Sequence, residues 1–471
     1  MKSRNSLCWI LLLIVVSGAA FADTKITKTG DTVVEGKALT IDGGFGRCIN
    51  GLSFQQDALV SHEDYQYAAF YDADRQVCLA RRKLPDGDWD VIRFADYPFR
   101  SNDAHNTISL GICPNDGTIH LAFDHHGHPL HYRVSRKGAA KSPEDVIWDV
   151  SLFGPITSEL EKGKSIRITY PRFWQTPDGG LQFCYRQGGS GNGDRMLVDY
   201  DAETGEWVNT RQIDSRHGLF EDDMGQSQSR CSYPNGYAYG PDGRLHVTWV
   251  WRESSQGANH DLMYAYSEDR GKTWLNNQGE ALNEPAHVNS PGITVANIGR
   301  DYGLMNTHGQ AVDSLGRIHV VMWHSTDQSL RAAGSKPGQH RWGTPETRRY
   351  HHYWRDADAV WHHFELPVVA GTRPKLFMDN ESNAYLICSD AWTRKIFSTK
   401  GDLMILGATS RANWKDWKTL HVEKGPFINE MLGDYYRWKR DKTLSVMVQE
   451  SPKEAHEATP LRILDFAFEE Q

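Results

Sequence analysis

Positive charge is in short supply. The chain has 471 residues, and 52 lysines and arginines stand against 60 acidic residues, a formal net charge of −8. That balance excludes the broad basic surface by which proteins hold nucleic acid. It leaves an acidic ligand open, since such a ligand is held by a few local Arg, Lys and His side chains. Cysteine is sparse too, with seven in all and no CxxC pair, which excludes a zinc-finger or thioredoxin-like framework. Cys78, Cys113, Cys184 and Cys388 sit in apolar strand-like runs and are expected to be buried free thiols. Long apolar runs are limited to one stretch, residues 9–16, too short for a comfortable span of a bilayer. Lys2 and Arg4 precede it and Ala20-Phe21-Ala22 follows, the pattern of a secretory signal cleaved before Asp23. No cysteine follows the run in lipobox fashion. The expectation is a signal peptide over residues 1–22, one mature domain over residues 23–471, secreted or periplasmic, with no membrane insertion after cleavage. Long amphipathic helices are also missing.

Strand signals fill the space the helices leave. Short runs rich in Val, Ile, Tyr, Phe and Trp alternate with Asp-Gly, Asn-Asp-Gly and Pro-Asp-Gly turns. A unit recurs: a turn, a strand of the type Ile-His-Leu-Ala-Phe, a second strand ending in Tyr or Arg, and a Trp-bearing strand. Counted along the chain, the units centre on residues 67–92, 119–148, 181–208, 244–274, 317–364, 384–420 and 443–466. In the second unit, Val146-Ile147-Trp148 is expected to be its last strand. In the sixth, residues 414–420 have that place. The spacing of about 45–60 residues is near that of four-stranded propeller blades. Seven units predict an all-β fold, a seven-bladed β-propeller in a single domain. A strand around residues 32–41 is expected to complete the last blade and so remove the open edges. No Pro/Gly/Ser-rich linker marks a split into two β-domains. Ser267-Glu268-Asp269-Arg270-Gly271-Lys272-Thr273-Trp274 matches the Asp-box, S-x-D-x-G-x-T-W, a hairpin-turn motif of structural value, and residues 201–207 form a degenerate copy.

The chemistry concentrates in residues 102–133, which hold six histidines: His105, His120, His125, His126, His128 and His131. In a propeller, the segments that enter the innermost strands line one face. His105 and Asn106 precede one such strand, and His125 and His126 follow Leu121-Ala122-Phe123. Tyr170-Pro171-Arg172 opens the third unit, Tyr185-Arg186 ends its first long strand, and Tyr233-Pro234-Asn235-Gly236 opens the fourth. Three consecutive units thus offer imidazole, phenol and guanidinium to one region. These groups suit elimination beside a uronate. A cation must neutralise the carboxylate and acidify the C5 proton, a base must take that proton, and an acid must protonate the leaving oxygen. His and Tyr serve as base and acid, while Arg and a second His hold the carboxylate. A glycosidase instead wants two carboxylates flanking the bond. Asp103, Asp124 and Asp222 are the candidates in these segments.

From about residue 40 to the C-terminus the chain resembles ulvan lyases of the propeller type, polysaccharide lyase families 24 and 25, and more closely the latter. The segments that carry the likeness are residues 102–133, 170–186, 233–236 and 259–274. The resemblance implies catalytic roles for His105 and Tyr170, with base and acid not assigned between them. It implies substrate binding by His125, Arg186 and Tyr233, with His126 the alternative to His125 and with Tyr237 and Tyr239 close to Tyr233. The implied partner is an anionic sulfated polysaccharide, ulvan, with Arg172, Arg230 and Arg252 as rim candidates for sulfate. The resemblance also implies a structural metal ion, zinc or calcium, and no organic cofactor. His260 and His308 are the candidate ligands, with Cys231, His351 and His352 behind them. Met263 stands where family members often have a cysteine after Asn-His-Asp-Leu, which puts that metal site in doubt.

Two other readings compete. A sialidase-like glycoside hydrolase would need an arginine triad, a Tyr/Glu pair and an Arg-Ile-Pro-like segment, and Phe45-Gly46-Arg47-Cys48-Ile49 matches the last poorly. A non-catalytic polysaccharide-binding propeller would not require His105 and Tyr170 together.

Overall fold

The computed structural model describes residues 24–43, 46–52, 58–254, 257–390, 400–454 and 456–469. The expected signal peptide lies outside the described residues. Those described are nearly all β, with two short α-helices, Asp327–Ala332 and Tyr435–Asp441. The strands form consecutive antiparallel sheets, each built mainly from neighbours in sequence.

The first sheet runs Leu59–His62, Tyr65–Tyr71, Gln76–Lys83 and Asp90–Pro98. The second has three strands, Ile108–Cys113, Thr118–Phe123 and Tyr132–Val134. The third orders Arg167–Gln175, Leu181–Gly189, Asn192–Asp201 and Glu206–Asp214, and His126–Pro129 joins its inner edge. The fourth centres on Arg230–Tyr239, Leu245–Glu253 and Asn259–Ser267, followed by the short strand Trp274–Leu275. The fifth is Gly309–Val312, Ile318–Ser325, Arg348–Arg355 and Trp361–Val369. The expected sixth and seventh units share one sheet. Its long strand Lys418–Gly433 pairs through its first part with Lys400–Ala408 and through its last part with Thr443–Glu450. Lys375–Met378 and Ala384–Ser389 extend this sheet at one end, and Thr459–Glu469 at the other.

The N-terminal strand does complete that last set. Lys25–Ala38 pairs antiparallel with Thr459–Glu469, from Lys25 opposite Glu469 to Ala38 opposite Thr459. It begins earlier than expected and stops at Ala38; Thr40–Gly43 then turns away to pair with Gly46–Cys48. Asp31 with Arg462 (2.6 Å) and Lys28 with Glu423 (2.7 Å) reinforce the junction. A buried network ties the same sheet to the first one. Arg82 and Arg437 both reach Asp465, at 2.8 and 2.7 Å, and Asp434 accepts from the Ser61 hydroxyl at 2.5 Å and from Gln66 at 2.8 Å.

The core lies between sheets. Ile108–Cys113 and Thr118–Phe123 are buried along their whole length, with Ser109, Thr118 and His120 as buried polar residues among apolar neighbours. Gly111 explains how closely the inner strands approach: a Cβ there would come within 2.5 Å of Phe173 in the third sheet. The Asp-box does local work. Asp269 accepts from the Ser267 hydroxyl (2.8 Å), the Thr273 amide (2.8 Å) and the Thr273 hydroxyl (2.7 Å), and Trp274 is buried. In the degenerate copy Asp201 caps the turn differently, accepting from the Glu203 amide at 2.9 Å, and Trp207 is buried.

Two expected strands are not strands. Val146-Ile147-Trp148 follows a 3-10 turn at Pro143–Asp145 and has irregular backbone. Trp148 reaches across to the first sheet instead, with the Arg81 guanidinium 4.3 Å from its ring centre and its indole N–H donating to the Asp90 carbonyl at 2.9 Å. Trp414 is buried in a turn and donates to the Ser382 carbonyl at 2.8 Å; the strand begins at Lys418. The six described cysteines are buried, with no disulfide among them.

Candidate active site

Three sheets present their inner-strand ends to one place. Ahead of Ile108–Cys113, Asp103 organises two imidazoles. Its Oδ1 lies 2.5 Å from His105 Nδ1 and accepts the His105 backbone N–H at 3.0 Å, while its Oδ2 lies 2.6 Å from His126 Nδ1. The rings of His105 and His126 stack with centroids 4.4 Å apart. Both sit 6.0 Å from the Tyr170 ring, and Tyr233 lies 5.9 Å beyond it. The Arg186 guanidinium carbon is 4.9 Å from the Tyr170 ring centre and 5.4 Å from that of Tyr233.

Local backbone explains the convergence. Thr169 pairs with Arg186 and Arg172 with Cys184, so the strand carries a bulge at Tyr170, whose φ is +53°. A non-glycine residue in that region costs about 1–3 kcal/mol, and a bulge re-aims the side chain it carries. On the other side, His126 pairs with Thr169, which sets its ring beside Tyr170. Arg186 is buried, and its Nη1 donates to Cys231 Sγ at 3.5 Å. Tyr233 is buried, its hydroxyl 3.4 Å from Ser190 Oγ.

The charges are set by these contacts. Burial pushes the Asp103 carboxyl up, but the hydrogen bonds from His105 and His126 outweigh it and hold it far below the usual carboxylate range. Burial pushes His105 down and outweighs the pull of Asp103, with the charges of His126 and Arg373 adding to the fall. His105 is therefore neutral near pH 7. An ionised carboxylate only accepts, so Nδ1 of His105 carries the proton and Nε2 keeps a lone pair. Burial and the neighbouring Tyr233 raise Tyr170 well above its ordinary value, against Arg186 and Arg252, so its phenol keeps its proton. Burial lowers Arg186, but Tyr233, Cys231 and Tyr170 reverse the sign, and it stays charged. The site thus holds a neutral base, a neutral acid and a fixed cation.

The structure brings together His105, Tyr170, Arg186 and Tyr233. It sets His125 apart. His125 is 1% exposed, stacks on His131, and accepts the His131 backbone N–H on Nε2 at 2.8 Å. Its neighbour His126 takes the place in the cluster. The hub, Asp103, is not among the residues that the sequence reading gave a role in elimination. The available signal was the spacing Asp103-x-His105, at which a carboxylate readily meets a nearby backbone N–H.

His260 and His308 do not come together; both ring nitrogens of His260 are engaged, while the buried Nδ1 of His308 has no hydrogen-bond partner. His260 is fully buried with Nε2 3.0 Å from Glu253 and Nδ1 2.9 Å from Asp261. Glu253 is shared with Arg230 at 2.7 Å. His308 accepts the Trp323 backbone N–H on Nε2 at 3.2 Å. These two histidines therefore do not form one shared site for an ion. Among the described residues, one group of three has donor atoms close enough for an ion, Asp103, His105 and His126, within 4.8 Å of one another, and there the separations are those of hydrogen bonds.

Residues 65–367 match the family described as BNR repeat-containing, more than half of the chain. The chain belongs to the BNR repeat-containing family. Among curated proteins, this family member is 27% identical over 332 residues to the long isoform of ulvan lyase from Pseudoalteromonas sp. (strain PLSV), covering 59% of this chain and 32% of that protein. It is 26% identical over 339 residues to the short isoform from Alteromonas sp. (strain LOR), covering 60% of each. The match therefore spans about a third of the long relatives. Two solved structures share the fold. The polysaccharide lyase Uly1 superposes with a TM-score of 0.71 at 20% identity over 93% of this chain and 99% of that one. A PL25 ulvan lyase bound to -[GlcA(1-4)Rha3S]- superposes with a TM-score of 0.65 at 12% identity, over 92% and 95%.

Proposed function

We propose that this BNR repeat-containing protein is a polysaccharide lyase that cleaves ulvan by β-elimination next to a uronate, leaving 4,5-unsaturated uronate ends. The observation that carries the reading is one neutral, carboxylate-oriented imidazole beside a protonated phenol that itself lies against a buried guanidinium. In this reading Arg186, with Tyr233 beside it, faces the uronate carboxylate and stabilises the charge that builds as C5 loses its proton. Nε2 of His105 takes that proton. The electron pair forms the C4–C5 double bond, the bond from C4 to the glycosidic oxygen breaks, and the Tyr170 phenol protonates the departing oxygen. His126 replaces His125 as the second imidazole. No step needs a metal.

The likeness to curated ulvan lyases supports the substrate class. The fold in this proposal is a seven-bladed propeller whose ring is completed where Lys25–Ala38 pairs with Thr459–Glu469. The signal-like pattern of residues 1–22 is what supports a secreted or periplasmic location in this proposal. Hydrolysis by a carboxylate pair is the weaker reading, because both Asp103 oxygens already hold imidazoles.

Mass spectrometry of the oligosaccharides released from ulvan tests the proposal. Elimination gives a series lighter than the hydrolytic products by one water per cut. Products carrying the added water would overturn it.

A further inference from the structure

Tyr233 is also the start of a second line of contacts. The Arg252 guanidinium carbon lies 5.9 Å from the Tyr233 ring centre and 5.9 Å from that of Trp342. The Arg341 guanidinium lies 4.8 Å from the same Trp342 ring. Gly257 shows how close the two cations are: a Cβ placed there would come 3.0 Å from Arg341 Nη2 and 3.2 Å from Arg252 Nη2. Arg341 Nη2 donates to the Gly257 carbonyl at 2.8 Å. Arg252 Nε is buried without a hydrogen-bond partner. Among the described residues neither guanidinium has a carboxylate partner. Burial and the like charge of Arg252 hold Arg341 below its ordinary value. Two cations that reach one spot without a counter-charge are placed for an anion, and the half-buried Trp342 offers a ring face between them.

The other rim candidates are otherwise engaged. Arg230 is fully buried on Glu253 and on the carbonyls of His217 (2.8 Å) and Gly218 (3.0 Å). Arg172 is buried and donates to the Pro234 carbonyl at 3.2 Å.

We propose that Arg252, Trp342 and Arg341 form a subsite for a sulfated sugar next to the residue that is cut, with the two guanidiniums on the sulfate ester and Trp342 against the sugar ring. This rests on the lyase reading above. The line from Tyr170 through Tyr233 and Arg252 to Trp342 then follows the polymer outward from the catalytic pair, and the protein selects chains sulfated at that position. A uronate carboxylate has related chemistry, and the test separates the two.

The test compares Arg341→Gln with the unsubstituted mature protein on native and on chemically desulfated ulvan. Arg341 is exposed, so the substitution leaves folding intact. The expected result is a KM about ten-fold higher on native ulvan, the size of one lost charge-assisted contact, with the difference disappearing on desulfated polymer. Arg341→Lys keeps the charge without the planar fork and recovers part of the loss. An equal loss on both polymers would assign the subsite to a carboxylate and overturn the sulfate. No loss on native ulvan would overturn the subsite itself. If the unsubstituted protein gives no unsaturated product from either polymer, the lyase reading fails first.

Discussion

Asp103→Asn is the most informative substitution for the proposed proton transfer. It keeps the shape of the side chain and removes one charge. In the native site a single carboxylate serves three donors: the His105 amide at 3.0 Å, His105 Nδ1 at 2.5 Å and His126 Nδ1 at 2.6 Å. An amide offers one oxygen and one NH2 group. Whichever imidazole faces the NH2 must present a lone pair at Nδ1 and a proton at Nε2. When that imidazole is His105, the base loses its lone pair at Nε2; when it is His126, His105 keeps its tautomer but loses the carboxylate charge that stabilises it once protonated. Loss of tautomer control at a histidine base lowers kcat by about 10²–10⁴-fold, or about 3–5 kcal/mol of transition-state stabilisation. Asp103 does not touch the substrate in this account, so KM moves little. The pH profile adds a second readout. Asp103 pulls His105 upward against burial, so its removal shifts the acid limb of kcat to lower pH while the rate falls. A steady-state series across pH on ulvan measures both. A variant that keeps kcat within about three-fold of the parent, or loses rate with an unmoved acid limb, would refute the role given to Asp103.

Three further outcomes follow from the same structure. The parent enzyme's own acid limb lies below 6.5, the ordinary histidine value, because burial lowers His105; a kcat profile with its acid limb above that value would contradict a neutral His105 base. Deleting residues 24–38 exposes the edge of Thr459–Glu469 and loses the burial of Ile26 and Val34, worth about 3–6 kcal/mol. Calorimetry should then give a melting temperature lower by about 3–6 °C, and an unchanged value would contradict the place given to this strand. His260 is raised above 6.5, since Asp261 and Glu253 outweigh burial. Its contribution to stability is therefore full below that ordinary value and is lost as pH rises through the folded-state value. His260→Gln should lower the melting temperature more at pH 6 than at pH 9, and a chelator should leave the parent's melting temperature unchanged; the reverse pH trend, or a fall with chelator, would return His260 to the metal ligands.

Much of this was legible in the sequence, for physical reasons. Turn chemistry fixed the hairpins: Asp116-Gly117 and the Asp-box at residues 267–274 occur where the chain reverses. His105, Tyr170, Arg186 and Tyr233 could be placed together because each stands at an end of an inner-strand segment. What failed depends on register and on tertiary contact. His125 and His126 are adjacent, and one residue decides which face of a strand a side chain takes. Asp124, with φ of +62°, sets that parity in the turn, and pattern alone does not reveal it. Val146-Ile147-Trp148 has a strand's composition, yet its tryptophan serves to cover Arg81 in another sheet. The two readings of His260 share one sequence, and only the positions of Glu253 and Asp261 decide between ligand and buried ion pair. Asp103 shows in the sequence only as one of three candidate carboxylates and by its spacing from His105; its second imidazole arrives through the pairing of His126 with Thr169 at the edge of the third sheet.

The most direct measurement is the ultraviolet absorbance of ulvan incubated with the purified protein, with His105→Gln and Tyr170→Phe in parallel. The account predicts a steady rise from the conjugated 4,5-unsaturated uronate for the parent and a rate lower by at least about 10²-fold for each variant. Undiminished turnover in both variants would contradict the proton-transfer pair, and new reducing ends without any absorbance would contradict elimination itself.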